Sequence, residues 1–167
     1  LKVTGDDGPL TIARYADRGP DDRGKVTVTL PDGQEQGDRL LREALAYHFY
    51  EAIHPIHIKT KVVKLEGWEA GEQKHSFTAF LVEDEEELAA RLDARVLGQG
   101  VVRASGLDRD SYLKMCFFQY MIANVDWSVG NRHNLEFLQV PGYERIVVIP
   151  YDFDYAGFIG ASYAVPA

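Results

Sequence analysis

The stretch from Asp108 to Gly157 constrains the fold more than any other part of this chain. Asp108 is placed to cap a helix running through Val125, with Tyr112, Leu113, Cys116, Phe117, Tyr120 and Met121 as its buried face. A polar loop, Asn124-Val-Asp-Trp-Ser-Val-Gly-Asn-Arg-His-Asn134, leaves that helix. Two strand-like runs, 135–140 and 145–149, then form a hairpin around Pro141, Gly142 and Tyr143. The hairpin delivers a second acidic segment, Pro150-Tyr-Asp-Phe-Asp-Tyr-Ala-Gly157.

The front half reads as strands around one helix. Leu1 to Thr4 is the tail of a strand, and the chain begins with Leu1 rather than Met, as an excised domain would. Residues 5–38 are rich in Gly, Asp and Pro, with one strand-like run at 25–30 that ends at the turn signal Pro31-Asp-Gly33. A helix should follow, with Asp38 as its N-cap and Leu41, Ala44, Leu45, His48, Phe49 and Ala52 as its buried stripe, stopped by Pro55. Residues 56–65 alternate and are rich in β-branched side chains, and 77–82 form the returning strand across a polar connection at 67–74. A short helix starts at Glu83 with acid in its first turn, where the helix dipole favours it. Residues 98–100 read as a linker.

Composition narrows the function classes. With 167 residues, 46% of them hydrophobic and 26% charged, the chain has the make-up of a folded domain with a sizeable core. A formal charge of −8 argues against general affinity for nucleic acid or anionic membrane surfaces. A nucleotide is a different case, since a few placed lysines and a metal neutralise phosphates locally. The single Cys116 excludes an internal disulfide and reads as a buried, inert thiol. No apolar run approaches the ~18 residues that a membrane span needs.

The two acidic segments carry the chemistry. Asp126 can orient or deprotonate a hydroxyl. An Asn amide oxygen from the first loop and an Asp from the second can share a magnesium ion, which prefers hard oxygen ligands. If the segment is extended, Asp152 and Asp154 point to the same side and approach one metal cluster. Two acids together between apolar residues would be costly without a cation. This is the logic of phosphoryl transfer, where catalysis is mostly positioning and charge neutralisation.

The arrangement resembles the atypical kinase-like proteins related to the bacterial spore-coat kinase CotH, and more distantly the loops of HipA and the phosphatidylinositol kinases. The matching blocks are 1–4, 40–47, 77–84, 118–128, His133-Asn134 and 150–157, the last three being the most specific. The resemblance implies an α+β, two-lobed, atypical protein-kinase-like fold. A strand-rich N-lobe with one helix would occupy 1–83 and a helical C-lobe with a catalytic hairpin 84–167, with the first strands and a Gly-rich phosphate loop upstream of Leu1. By position, Lys2 would be the strand lysine that touches the phosphates and Glu43 its ion-pair partner. Backbone groups at Glu83 and Asp84 would hydrogen-bond the adenine edge. Asp126 would be the catalytic base.

For the metal, two asparagines compete. Asn131 lies five residues after Asp126, the Asp-to-Asn interval of a kinase catalytic loop. The likeness to CotH-like relatives favours Asn134, with Asp152 as the primary carboxylate ligand and Asp154 beside it. The implied cofactors are ATP with Mg2+ or Mn2+, and the implied acceptor is a protein Ser/Thr side chain or a small molecule. Two other classes remain open on the same residues. A metal-dependent hydrolase would use His133, Asp152 and Asp154, although no His-Glu-x-x-His spacing occurs among the histidines. A non-catalytic pseudokinase module would bind nucleotide without turnover.

Overall fold

The helix that should carry one apolar stripe turns out to be apolar on both faces, and tertiary packing selects the opposite side from the one expected. In the computed structural model, which describes residues 2–5, 8–10, 27–29, 37–69, 72–98 and 102–160, helix α1 spans Gly37–Ile53. Its buried residues include Leu40, Glu43, Ala44, Ala46, Tyr47 and Tyr50, so Ala44 alone of the expected stripe is buried, while Leu41, Leu45, His48, Phe49 and Ala52 are exposed. Asp38 lies in its first turn. The helix ends where expected: His54 N–H still donates to Tyr50 O at 2.9 Å, and Pro55 then supplies no N–H and disfavours helical backbone at His54.

A five-stranded antiparallel sheet accompanies α1, built from β1 (Lys2–Gly5), β2 (Gly8–Leu10), β3 (Thr27–Thr29), β4 (Thr60–Glu69) and β5 (Glu72–Val82) in the order β2-β1-β4-β5-β3. The central β4–β5 hairpin pairs from Thr60↔Val82 to Glu69↔Glu72, with an irregularity at Gly67/Trp68. Both strands therefore run further into the expected connection at 67–74. The turn expected at residues 31–33 and the linker residues 99–100 lie outside the described residues.

Helix α2 (Glu85–Arg91) begins two residues later than expected, because Asp84 caps it through Oδ1 and the Glu86 N–H at 2.9 Å. Strands β6 (Arg95–Val96), β7 (Leu135–Gln139) and β8 (Val147–Pro150) form a second antiparallel sheet in that order. Helix α3 (Arg109–Met121) packs on β8, with Asp108 Oδ1 accepting the Ser111 N–H at 2.9 Å as its cap. Here too the buried face differs from expectation: Ser111, Met115, Phe118, Gln119 and Ile122 face inward. Leu113, Phe117, Tyr120 and Met121 face outward, Tyr120 at 87% exposure and Phe117 at 72%. The helix also stops at Met121, short of Val125.

The architecture is thus mixed α+β, with three α-helices and small antiparallel sheets among the described residues. No described helix is long and apolar enough to cross a membrane. One chain of aromatic rings links the parts. Phe80 of β5 meets Tyr47 of α1 at 5.9 Å between centroids, and Tyr47 meets Phe153 at 4.6 Å. Phe153 meets Phe118 of α3 at 5.3 Å, and Phe118 meets Tyr50 at 5.0 Å. Tilted and edge contacts of this kind each contribute about 0.5–1.5 kcal/mol beyond area burial. Phe153, fully buried, ties the second acidic segment into the core.

Candidate active site

Helix α3 ends at a left-handed residue, Ala123 (φ 53°), and the chain turns immediately into the Asp126 loop. Asn124 shapes this turn. Its Oδ1 accepts the Asp126 N–H at 3.0 Å, and its carbonyl accepts the Trp127 indole N–H at 3.3 Å. An Asn side chain that accepts the N–H two residues on is a standard turn former. Beyond it, Ser128 and His133 exchange both backbone hydrogen bonds at 3.0 Å, which closes residues 129–132 into a tip. Asn131 sits in that exposed tip, its N–H donating to Ser128 Oγ at 3.2 Å. Arg132, also left-handed, anchors the tip by donating to the Leu97 and Gly98 carbonyls.

Closing the tip returns His133 and Asn134 to Asp126. His133 Nε2 lies 3.0 Å from Asp126 Oδ1. An ionised carboxylate has no proton to give, so this contact places the imidazole proton on Nε2. Asn134, buried and left-handed (φ 53°), donates its Nδ2 to the Asp126 carbonyl at 2.8 Å and to Asp126 Oδ2 at 3.1 Å. Both carboxylate oxygens are thereby held, and each keeps a further lone pair for a hydroxyl. Of the two candidate asparagines, the fold brings Asn134 to Asp126 and leaves Asn131 at the loop tip.

The second acidic segment reaches the same place by two routes. Leu135↔Pro150 closes the β7–β8 ladder, and the Tyr151 N–H donates to Asn134 O at 3.1 Å. Downstream, the Gly157 and Phe158 N–H groups donate to the Ala123 and Ile122 carbonyls at 3.0 Å each. Gly157 lets the two segments approach closely, since a Cβ there would lie 3.0 Å from the Ala123 Cβ. The segment is therefore pinned at both ends beside the Asp126 loop.

Asp152 and Asp154 do meet, but not through strand alternation. Asp152 is left-handed (φ 57°), the chain turns at Asp154, and the two carboxyl groups share a hydrogen bond. Burial, the neighbouring Asp154 charge and that shared bond raise Asp152 to about 6, with a further push from Asp126 and a smaller opposing pull from His133. The two polar loops are thus close enough to feel one another's charge.

Glu43 joins this cluster from α1. Only 6% exposed, it is pushed up to about 8 by burial first and then by Asp152 and Asp154, while a hydrogen bond from the Phe153 N–H works the other way. One helical turn on, Tyr47 Oη accepts the Asp152 N–H at 2.9 Å. The expected partner of Glu43, Lys2, lies in β1 with its side chain outside the described residues, so the Lys2–Glu43 pair falls outside them as well.

Glu83 and Asp84 hold the connection between β5 and α2. The Glu83 carboxylate accepts from Arg91 Nε at 2.6 Å, Arg91 Nη2 at 2.8 Å and the Lys59 N–H at 3.0 Å. Partial burial opposes ionisation, but these donors hold its carboxyl below the usual range. The Glu83 N–H donates to Lys59 O at 2.9 Å, so that particular donor is engaged within the fold. Asp84 is the α2 cap described above. Facing this connection from β7, Glu136 is raised to about 7 by burial and by Glu85.

Two features of the site were not legible as such in the sequence: the Tyr47 anchor and the pairing of His133 with Asp126. The Tyr47 signal was present as its position four residues after Glu43 on one helix. The donors assembled are hard oxygens, the kind that suit magnesium or manganese. Among the described residues, no three His, Cys, Asp or Glu side chains converge as a closed metal-binding group. No protein-family model, no curated protein and no solved structure matches the chain.

Proposed function

We propose that this chain is part of a two-lobed, atypical protein-kinase-like phosphotransferase, using ATP with Mg2+ or Mn2+ and delivering the phosphoryl group to a hydroxyl. The observation that carries this reading is the doubly held Asp126, with its carboxylate fixed by His133 and Asn134 opposite the Asp152–Asp154 pair. Phosphoryl transfer asks of a protein that it align a hydroxyl with a bound phosphate and neutralise charge. Asp126 would receive or orient the acceptor hydroxyl through its remaining lone pairs. The His133 and Asn134 contacts stop the Asp126 side chain from rotating away.

The acidic residues fit a hard divalent cation. Burial first, and then neighbouring carboxylate charge, raise Asp152 and Glu43, and a cation bound there would relieve that strain. Such an ion, bound with ATP, would neutralise phosphate charge, and magnesium characteristically takes only one or two carboxylates, completing its shell with phosphate oxygens and water. Asp152 is the preferred ligand and Asp154 the second. With Asn134 Nδ2 turned to Asp126, its Oδ1 is the atom left for the cation, which favours Asn134 over Asn131 in this role. Lys2 would meet the phosphates, and the Glu83–Asp84 connection would lie at the adenine edge. A zinc hydrolase built on His133, Asp152 and Asp154 is less well supported, because His133 Nε2 faces Asp126.

Thermal unfolding with ATP, with and without Mg2+ or Mn2+, tests the proposal. A ligand at a hundredfold its dissociation constant adds about 2.7 kcal/mol. Metal-dependent stabilisation by ATP, followed by phosphoryl transfer that Asp126→Ala removes, is the expected result. Stabilisation without any transfer would favour the pseudokinase module. Stabilisation by zinc without nucleotide would favour the hydrolase.

A further inference from the structure

The second acidic segment is held from α1 by side chains rather than by backbone. Consecutive N–H groups, those of Asp152 and Phe153, are taken by Tyr47 and Glu43, which lie four residues apart on one buried face of the helix. Positions i and i+4 of a helix stack along one face, so this pair matches two adjacent peptide groups of a chain crossing it. Asp152 needs such a hold. Its backbone is left-handed, a conformation that a non-glycine residue adopts at a cost unless the surroundings impose it.

The Tyr47 ring is already fixed by Phe80 on one side and Phe153 on the other, so its hydroxyl is delivered by packing rather than by its own rotamer freedom. Tyr47 is buried, and its bond to the Asp152 N–H is partly buried. The contact spans 105 residues of sequence and is a direct tie between α1 and the acidic segment. Losing it would leave a backbone donor unsatisfied and free Asp152 to relax out of the left-handed region, carrying its carboxylate away from Asp154.

We infer that Tyr47 is a positioning residue: its hydroxyl, through the Asp152 N–H, sets the direction in which the Asp152 carboxylate meets a metal–nucleotide ligand. Glu43 assists by holding the next peptide, and α1 thereby governs the geometry of the acidic segment. This inference rests on the phosphotransferase reading, because it assigns Asp152 to the metal.

The experiment compares the full chain with its Tyr47→Phe variant, which keeps the ring and removes only the acceptor. Mn2+ is titrated at fixed ATP, and ATP is titrated without metal, with binding followed by calorimetry. The expected result is a Mn2+ midpoint raised tenfold or more, with metal-free ATP affinity within twofold of the parent chain. A loss confined to the metal dependence is not what general loosening of the core would give. A Mn2+ midpoint within twofold of the parent chain overturns the inference while leaving the phosphotransferase reading standing. A parent chain indifferent to Mn2+ and ATP overturns both. Amide hydrogen exchange on the unmodified chain gives a test independent of how the variant folds. The Asp152 N–H must exchange far more slowly than exposed loop amides, and exchange as fast as theirs overturns the inference.

Discussion

Asn134 Nδ2 donates to both the backbone carbonyl and the carboxylate of Asp126, at 2.8 and 3.1 Å, so one amide group fixes the main chain and the side chain of the same residue. Asn134 is also left-handed, which Asn tolerates better than most residues. Asn134→Ala removes the donor and strains the backbone together. A loss of roughly 1–3 kcal/mol is expected from urea unfolding. Asn134→Asp keeps the shape but sets a second carboxylate against Asp126, and its penalty should grow as pH rises through the carboxylate range.

Asp126 should separate chemistry from binding. A positioned base contributes about 10²–10⁴-fold to a rate. Asp126→Ala should therefore abolish measurable transfer while the dissociation constant for Mn2+–ATP stays within a few-fold of the parent chain. His133→Ala, which removes only one of the two holds on Asp126, should lower the rate less. Single-turnover transfer beside equilibrium binding checks both. Equal loss of binding in Asp126→Ala would assign that residue to the ligand rather than to the acceptor.

Asp152 should behave in the opposite way. Asp152→Asn keeps the N–H taken by Tyr47 but removes the charge, so the fold should survive and metal-dependent nucleotide binding should weaken tenfold or more. The same substitution should stabilise the ligand-free chain at neutral pH, because it relieves repulsion from Asp154 and Asp126. Thermal shifts with and without Mn2+–ATP would read the two effects with opposite sign.

Glu43 makes a prediction for pH. Its folded value is raised to about 8 from an ordinary 4.5, so between those limits the folded chain binds more protons than the unfolded chain. Stability linked to this group is then full below pH 4.5 and falls as pH rises towards 8. One pKa unit corresponds to about 1.4 kcal/mol, which makes the expected loss on the order of 5 kcal/mol. Glu43→Gln should flatten this part of the profile and be the more stable protein at alkaline pH. Urea midpoints across that range decide it, and identical slopes for both proteins would show that Glu43 does not titrate there.

The inverted faces of the helices can be tested by paired substitutions on α3. Phe118 is buried among Tyr50 and Phe153, and Phe118→Ala should cost about 3–5 kcal/mol. Its neighbour Phe117 is exposed, and Phe117→Ser should change stability by less than about 0.5 kcal/mol. Chemical denaturation of the two variants distinguishes the observed face from the one expected from the sequence.

Element types were legible in the sequence because their signals are local. Asp108 before an apolar helix, Pro55 after one, and alternation on either side of Pro141 each fix backbone conformation through nearby atoms. The two polar loops flanking a hairpin were legible for the same reason. Helix faces were not. Helices α1 and α3 carry apolar residues on both sides, and nothing local says which side the sheets will cover. Packing decided it, placing Tyr47, Tyr50 and Phe118 in one aromatic chain with Phe153.

The sequence by itself therefore determined which residues could do chemistry and the order in which the chain presents them. Only tertiary structure decided how they are held: His133 on Asp126, Asn134 in preference to Asn131, and Tyr47 beneath Asp152. The physical reason is range. Capping, turn formation and periodicity act over a few residues, whereas the hydrogen bond from Asp152 to Tyr47 joins groups 105 residues apart. Such a contact exists only once burial of the aromatic core has brought both to one place.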